Sequence, residues 1–379
     1  MNKSGDEHGP PDSSAEPISR EPIFVITDQV AHTGIGVYAS SLYHLLSSAF
    51  PGMRVVSLNP LVGEAFPDSF ALSALRKVSS RWLIPLVREA NEQLLRSTLP
   101  RDARAHLCGV SYRLSSYFDS SVSTIHDFYP RVPSIGNLAR PKVIGRDLAS
   151  LLIYIRIPRE VQRCKSIIVP TREVQSSLMS RASIRSQVIH HWIETSRFHP
   201  RIKNDSRIRL GLPDPRTLLL SVGGGTSNKN LGLLEQIARL LPQGFTLVKV
   251  GEPLAVPPPR VLNLHRLNRE LYPLVFNACD VYVHTSSVEG FGRPLIEALG
   301  SRLPILARRT LVTEELLGDS AILLEPTATA RDWVGSVRTL ENPGTRREIL
   351  DRAEIQARLF SEERARDLYT ELYIDAFGL

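Results

Sequence analysis

Short apolar runs alternate with amphipathic helical segments along the chain, and the alternation starts afresh near the middle. In the first half, residues 23–26 are typical of a buried parallel strand, and a glycine turn and a helix follow them. In the second half, residues 217–222 open the same order again. Repeated strand–helix units predict parallel sheets covered by helices, and the fresh start predicts a second sheet. We therefore expect an α/β protein with two doubly wound domains.

The length of 379 residues also suits about two domains. A charged, proline-containing stretch around residues 195–216 separates the two alternating halves and predicts the interdomain linker. We expect one Rossmann-like domain over residues 21–198 and a second over residues 199–360, facing each other across a central cleft. Residues 1–20 are polar and lack an apolar core, which predicts a disordered tail and not a signal peptide.

The composition is that of a soluble globular protein, with 42% hydrophobic and 22% charged residues. No apolar run approaches the roughly 20 residues that are needed to span a bilayer. Cys108, Cys164 and Cys279 lie far apart in apolar stretches and lack the spacing of metal ligands. Such cysteines are typical of reduced thiols in a cytoplasmic protein, which is the location we expect.

The net charge of +7 is carried mainly by arginine, since only seven of the 46 basic residues are lysines. A solvated basic surface explains this spread better than a stripe that binds nucleic acid, so we predict no nucleic-acid partner. Two basic segments, residues 76–96 and 140–163, are compatible both with solvated helix faces and with contact to an anionic membrane surface.

The most informative segment is residues 284–297, which reads HTSSVEGFGRPLIE. It follows an apolar strand, its two glycines permit a tight backbone path, and Pro294 suits the first position of a helix. The free N–H groups at such a helix start carry partial positive charge and can bind a diphosphate. Glu297 lies about one turn into this helix, and Glu289 lies in the loop. Taken alone, the two glutamates are better explained as a helix-dipole partner and a surface charge.

A longer likeness changes that interpretation. Residues 288–326 resemble the signature of family 4 glycosyltransferases, which have the GT-B fold of two Rossmann-like domains facing a cleft. Glu289 and Glu297 reproduce the two glutamates of that signature, eight positions apart. Further similar blocks follow in the family's order at residues 33–38, 124–130, 167–171, 188–198, 221–231 and 269–281. The resemblance implies that a final helix, about residues 361–379, packs back on the first domain.

The resemblance also implies roles for individual residues. Glu297 would hold the ribose of a nucleotide sugar, Glu289 its sugar and Lys229 its diphosphate. His126 would lie beside the anomeric centre, so the implied catalytic residues are His126, Glu289 and Lys229. The implied donor-binding residues are Gly34, Gly36, Gly223, Lys229, Arg266, Glu289, Gly290, Phe291, Gly292, Arg293, Pro294 and Glu297.

Some positions depart from the family or leave two interpretations open. Lys229 is the only cation in its turn, because Gly224 and Asn228 stand where family members carry arginine. Arg293 is a candidate second cation, with a solvent-facing side chain as the alternative. Trp192 either stacks on a sugar ring or, as we favour, packs at the domain hinge.

The implied reaction is a retaining transfer of a hexose from a nucleotide diphosphate sugar to a glycan, lipid-linked or small-molecule acceptor. The first domain would bind the acceptor and the second the donor. The nucleotide sugar is a co-substrate, so we expect neither a cofactor nor a metal. The chain contains no Asp-x-Asp pair of the kind that chelates a divalent ion. Two alternatives on the same fold remain open: a nucleotide-sugar 2-epimerase and a non-catalytic subunit that binds nucleotide sugar.

Overall fold

The structure is a computed structural model, and it describes residues 18–19, 21–28, 33–58, 84–128, 159–212, 216–264 and 267–379. The described residues form two sheets of six strands each, flanked by helices, which confirms the expected α/β class with two doubly wound sheets. The predicted tail, apart from residues 18–19, lies outside the described residues, as do large parts of the two basic segments.

The first sheet has the strand order β2-β1-β3-β4-β5-β6. Its strands are β1 (Ile23–Thr27), β2 (Arg54–Ser57), β3 (Arg104–Cys108), β4 (Ser120–Thr124), β5 (Ser166–Val169) and β6 (Gln187–Val188). Strand β1 pairs in parallel with both β2 and β3. All five of its residues are buried, as expected of a parallel strand that is covered on both faces.

Among the described residues, helices α1 (Gly34–Leu46), α2 (Ile84–Thr98) and α3 (Arg172–Ala182) follow strands of this sheet. Helix α1 begins beyond the carboxyl end of β1. The side chain of Thr33 caps it by accepting a hydrogen bond from the Gly36 N–H at 3.1 Å. Tyr38 and Leu42 lie one turn apart on its apolar face and are fully buried.

The second sheet has the strand order β12-β11-β10-β7-β8-β9. Its strands are β7 (Thr217–Gly223), β8 (Phe245–Gly251), β9 (Val261–Leu264), β10 (Val281–His284), β11 (Ile305–Arg308) and β12 (Ile322–Leu324). Strand β7 lies between β8 and β10, so the direction of winding reverses between β7 and β10. Ligands of doubly wound sheets bind outside the carboxyl ends of the strands at such a switch point.

The remaining helices are α4 (Lys203–Leu210), α5 (Leu231–Leu240), α6 (Tyr272–Ala278), α7 (Arg293–Gly300), α8 (Leu311–Leu317), α9 (Ala330–Thr339), α10 (Pro343–Ala357) and α11 (Glu362–Phe377). Apolar clusters cover both faces of the second sheet. Strand β7 contributes Leu218 and Leu220 to one cluster and Leu219 to the other, because successive side chains point to opposite faces.

Contacts divide the chain into two compact units. Unit 1 comprises residues 1–125, 130–168 and 366–379, and unit 2 comprises residues 126–129 and 169–365. The predicted division after residue 198 therefore differs from the division of the folded chain. Residues 169–198 belong to unit 2 because they bond to its helices. The backbone N–H of Arg172 donates to both carboxylate oxygens of Glu315, at 3.0 and 2.9 Å.

The prediction of a linker over residues 195–216 is wrong in part, because this stretch contains helix α4. Arg207 on this helix is only 5% exposed, and its guanidinium donates to Asp280 Oδ2 at 2.8 Å and to the Ala278 carbonyl at 2.9 Å. Gly211 ends the helix with a φ of +63°, in the left-handed region that favours glycine. Helix α4 has the polar composition of a solvated segment, although the buried side chain of Arg207 anchors it.

The C-terminal helix α11 joins unit 1 from residue 366 onward. The hydroxyl of Tyr369 lies 2.7 Å from that of Tyr38, and the Tyr373 hydroxyl lies 2.7 Å from His106 Nδ1. All four side chains are fully buried, so these polar contacts hold the helix within the core of unit 1. Among the residues that the structure describes, no helix combines the length and the apolar character needed to cross a membrane.

Candidate active site

The turn after β7 lies at the switch point of the second sheet. It contains a short 3₁₀ turn, Ser227–Lys229, and leads through Asn230 into α5. Bonds to the loop after β10 fix the turn. The Ser287 N–H donates to the Asn228 carbonyl at 2.8 Å, and the Thr285 hydroxyl donates to the Lys229 carbonyl at 2.9 Å. Two polypeptide segments that were predicted to contact the donor are therefore held side by side.

Lys229 and Glu289 form an ion pair within this arrangement. The ammonium Nζ lies 2.5 Å from Glu289 Oε1, and both side chains are largely buried. Burial favours the neutral acid, but the neighbouring His284 and Lys229 and a hydrogen bond from Ser286 outweigh it, so the pKa of Glu289 is lowered. Glu289 is therefore a carboxylate at neutral pH.

His284, at the end of β10, was not predicted as a site residue. Its side chain is buried, its Nδ1 lies 3.2 Å from the Tyr282 hydroxyl, and its Nε2 lies 3.6 Å from Glu289 Oε1. Burial lowers its pKa to about 4, partly offset by Glu289, so the ring is neutral at pH 7. Its place at the carboxyl end of a buried strand is the sequence signal that identifies it.

The loop that follows Glu289 needs its glycines. A side chain at Gly290 would collide with the carbonyl oxygen of His126. Gly292 has a φ of +83° and precedes the first residue of α7, where a side chain would also press on Leu295. Arg293 and Pro294 then form the first turn of α7. The tight backbone path that the sequence predicted is therefore present.

Glu297 lies on α7 and is only 6% exposed. It accepts a hydrogen bond from the Tyr272 hydroxyl at 2.7 Å, and its Oε1 lies 3.9 Å from Arg293 Nε. Burial raises the pKa of Glu297, whereas Arg293 and the bond from Tyr272 oppose that rise. Tyr272 was not predicted as a site residue; it begins α6, in the block that resembles the family's helix before the paired glutamates.

Arg293 does not face solvent, which settles the alternative raised by the sequence. Its side chain is 10% exposed, and Nη2 donates to Glu194 Oε1 at 3.2 Å. The other terminal nitrogen, Nη1, is buried and has no hydrogen-bond partner among the residues that the structure describes. Arg293 is therefore a buried cation beside Glu297 with one donor available.

His126 belongs to unit 2 with these residues. Its ring lies 5.4 Å from that of His191, which stacks on Phe291 at 4.5 Å. Burial, and then the charge of Arg293, lower the pKa of His126 to about 3, so it is neutral at pH 7. The ring of Phe291 is 4% exposed and packs in the core.

Of the remaining predicted residues, Gly223 lies beside Lys229, whereas Gly34 and Gly36 lie in the other unit. Gly223 ends β7, and a side chain placed on it would meet the methylene groups of Lys229. Gly34 and Gly36 begin α1 in unit 1. Arg266 lies outside the described residues. Trp192 is 1% exposed, so its ring packs in the interior and is not presented to a sugar.

Two doubly wound sheets of six strands each match the GT-B fold that the sequence predicted. The fold likeness extends over almost the whole chain. Sucrose-phosphate synthase from Thermosynechococcus elongatus superposes with a TM-score of 0.74 at 17% identity, covering 95% of this chain and all of that one. Alr3699/HepE from Anabaena, solved in complex with UDP-glucose, superposes with a TM-score of 0.66 at 16% identity, covering 93% of this chain and 99% of that one.

Sequence comparison finds similarity in the second half of the chain. Residues 202–356 match the family described as glycosyl transferases group 1. Sulfoquinovosyl transferase SQD2 from Arabidopsis thaliana is 27% identical over 203 residues. That alignment covers 49% of this chain and 39% of SQD2, so the chain spans well under half of the length of this relative.

Proposed function

We propose that this chain is a retaining, metal-independent glycosyltransferase, which moves a hexose from a nucleotide diphosphate sugar to a glycan, lipid-linked or small-molecule acceptor. The observation that carries the proposal is the Lys229–Glu289 ion pair at the switch point of the second sheet, with the buried carboxylate of Glu297 on the following helix. The cation Lys229 suits a diphosphate. The carboxylates of Glu289 and Glu297 can accept hydrogen bonds from the hydroxyls of a sugar and of a ribose.

Each group has a distinct task in this proposal. Lys229 exchanges Glu289 for the diphosphate, and Glu289 then accepts hydrogen bonds from hydroxyls of the sugar. Glu297, held by Tyr272, accepts hydrogen bonds from the ribose. During transfer the bond from the anomeric carbon to the diphosphate oxygen breaks, the acceptor oxygen bonds to that carbon, and the acceptor proton passes to the departing diphosphate. The departing nucleoside diphosphate gains negative charge, which Lys229 and the start of α7 stabilise.

Arg293 is the second cation of this proposal. Its buried Nη1 donor has no partner among the described residues, so a diphosphate oxygen would satisfy it. Neutral His126 acts by hydrogen bonding or by its carbonyl beside the anomeric centre, because a ring with a pKa of about 3 donates no acidic proton at pH 7. Unit 2 would bind the donor, and unit 1, with Gly34 and Gly36, the acceptor.

The relatives support the class of substrate. The crystallised complex of Alr3699/HepE with UDP-glucose supports a nucleotide sugar as the donor. The name of SQD2 supports transfer of a sugar as the reaction.

The test is a panel of UDP-, GDP- and ADP-sugars, incubated with the full chain and with candidate acceptors. We expect one donor to be consumed with release of its nucleoside diphosphate, and the anomeric proton coupling of the product to show retained configuration. Release of an altered free sugar nucleotide would support the epimerase instead. Binding without any turnover would support a non-catalytic subunit, and an inverted product would contradict the retaining mechanism.

A further inference from the structure

Strand β8 carries a lysine in its interior. Lys249 is 1% exposed and pairs in register with Ser221 of β7. A buried ammonium is costly unless hydrogen bonds compensate for lost hydration. Here Nζ donates to the Gly223 carbonyl at 2.7 Å and to the Val250 carbonyl at 2.9 Å. Strand interiors ordinarily contain apolar side chains, so this charge requires an explanation beyond packing.

The first of these bonds acts on the turn that precedes Lys229. The Gly223 carbonyl accepts from Lys249 and also from the Glu252 N–H, at 3.0 Å. The Gly223 carbonyl also lies so close to Gly251 that a side chain at position 251 would collide with it, and Gly251 has a φ of +101°. Because a trans peptide is planar, fixing this carbonyl directs the N–H of Gly224 to the opposite side. Lys249 thus determines the orientation of the first peptide of the turn.

The lysine also lines a small polar cavity at the carboxyl ends of β7 and β10. Its lining includes Ser221, Gly223, Lys229, Lys249, His284 and Ser286. Lys229 and Lys249 therefore place two ammonium groups at one cavity, while His284 is neutral. Such a cavity suits an anion, since both cations and the hydroxyls are donors.

The charge of Lys249 responds to its surroundings. Burial, and then the nearby Lys229, lower its pKa to about 8, while Glu252 opposes them. The other ionisable groups that face the cavity are His284 and, through its bond to Lys229, Glu289. An anion that replaces Glu289 at Lys229 would favour the charged form of Lys249 and raise its pKa.

We propose that Lys249 is a positioning residue for the diphosphate of the donor: together with the Glu252 N–H it holds the Gly223–Gly224 peptide, and it adds a positive charge at the cavity that Lys229 also lines. This inference rests on the proposed nucleotide-sugar function. It requires the protonated form, so binding of a nucleoside diphosphate should weaken as pH rises through the pKa of Lys249. If Lys249 had only a packing role, the affinity for the diphosphate would not depend on pH in this range.

The experiment compares the wild-type chain with Lys249→Met by calorimetric titration of UDP, GDP and ADP between pH 7 and 9. Lys165→Met is the matched control, because this exposed lysine lies in unit 1 and its loss changes the net charge equally. We expect Lys249→Met to bind roughly tenfold more weakly at pH 7 and to be independent of pH. In the wild type and in Lys165→Met, the affinity for the diphosphate should fall about fivefold between pH 7 and pH 9, because binding is linked to the protonation of Lys249.

Two further measurements separate positioning from damage to the fold. Binding of the nucleoside without phosphates should be equal in wild type and Lys249→Met, and an equal loss for nucleoside and diphosphate would overturn the proposal. In wild type labelled with 13C-lysine, the Lys249 signal, which is identified by its absence from Lys249→Met, should shift to a higher pKa when the diphosphate is added. No shift, or an unchanged pH profile in Lys249→Met, would also overturn it. A wild type that binds none of the three diphosphates contradicts the nucleotide-sugar function itself.

Discussion

The ammonium of Lys229 lies 2.5 Å from Glu289 Oε1, so two groups that we assign to different parts of the donor contact each other directly. Their partnership links the two assignments. A diphosphate that attracts Lys229 releases Glu289 to accept hydrogen bonds from the sugar. The ammonium of Lys229 keeps an anionic partner throughout, because the diphosphate takes the place of Glu289. On the proposed function, the ion pair would exchange partners on donor binding, and neither group would become an isolated buried charge.

Lys229→Met should lower turnover more than it weakens donor binding. The charge that Lys229 meets is largest on the departing diphosphate, so most of its stabilisation acts in the transition state. Loss of one such contact costs about a hundredfold to a thousandfold in rate. Single-turnover rates at saturating donor measure the effect, with Lys165→Met as the control. A rate within a few-fold of wild type would show that Lys229 does not stabilise the leaving group.

Activity should persist in excess EDTA. The cations Lys229 and Arg293 and the first turn of α7 are expected to supply the positive charge that a metal supplies in other transferases. The initial rate with the preferred donor is compared before and after chelation, and again after manganese is added. Complete loss that manganese restores would contradict metal independence.

Donor affinity should fall in acid, and Tyr272→Phe should move that fall to higher pH. The carboxylate of Glu297 must be ionised to accept hydrogen bonds from two hydroxyls. Burial raises its pKa, and the bond from Tyr272 opposes the rise, so its removal raises the pKa again. The affinity is therefore present above the pKa of Glu297 and is lost as pH falls through it. Calorimetry with the nucleoside diphosphate across the acidic range measures the midpoint.

Tyr282→Phe is the control for this measurement, because its hydroxyl contacts His284 and not Glu297. Its acid midpoint should match that of the wild type. Identical midpoints for wild type and Tyr272→Phe would indicate that Glu297 is not the group whose ionisation governs binding.

Tyr38→Phe should destabilise unit 1. The Tyr38 hydroxyl lies 2.9 Å from Thr124 Oγ1 and 2.7 Å from the Tyr369 hydroxyl, and all three groups are buried. Removing it leaves buried polar groups with fewer partners, at a cost of about 1–3 kcal/mol. Urea unfolding followed by circular dichroism measures the loss. Tyr43→Phe, on the half-buried side of the same helix, should be nearly neutral, and equal effects would contradict this role.

Much of this architecture follows from patterns of apolar residues. The runs that became β1, β7 and β10 are each bounded by glycine or polar residues and are long enough for one buried strand. Their order predicts doubly wound sheets. The glycine-rich segment after β10 also has the predicted path, because Gly290 and Gly292 occupy positions where a side chain would collide or strain the backbone.

The sequence did not predict which polar groups are buried by tertiary contacts. Arg207 looks like part of a solvated linker, yet its guanidinium bonds to Asp280, some 70 positions along the chain. Lys249 occupies a strand interior where an aliphatic residue is usual, and its bonds to the Gly223 and Val250 carbonyls compensate its burial. The Lys229–Glu289 pair likewise joins residues 60 positions apart. Local periodicity contains no information about such pairs, because it reports only which face of an element is apolar.

The central claim is that Glu297 binds the nucleoside and Glu289 the sugar, and a matched pair of variants tests it most directly. The measurement is the calorimetric affinity of wild type, Glu297→Gln and Glu289→Gln for whichever of UDP, GDP and ADP the wild type binds most tightly. Loss of the charged acceptor in Glu297→Gln should cost on the order of 1.5–3 kcal/mol, and affinity should fall at least tenfold. Glu289→Gln frees Lys229 for the diphosphate and should bind at least as tightly as wild type. Equal losses in both variants, or wild-type affinity in Glu297→Gln, would contradict the assignment.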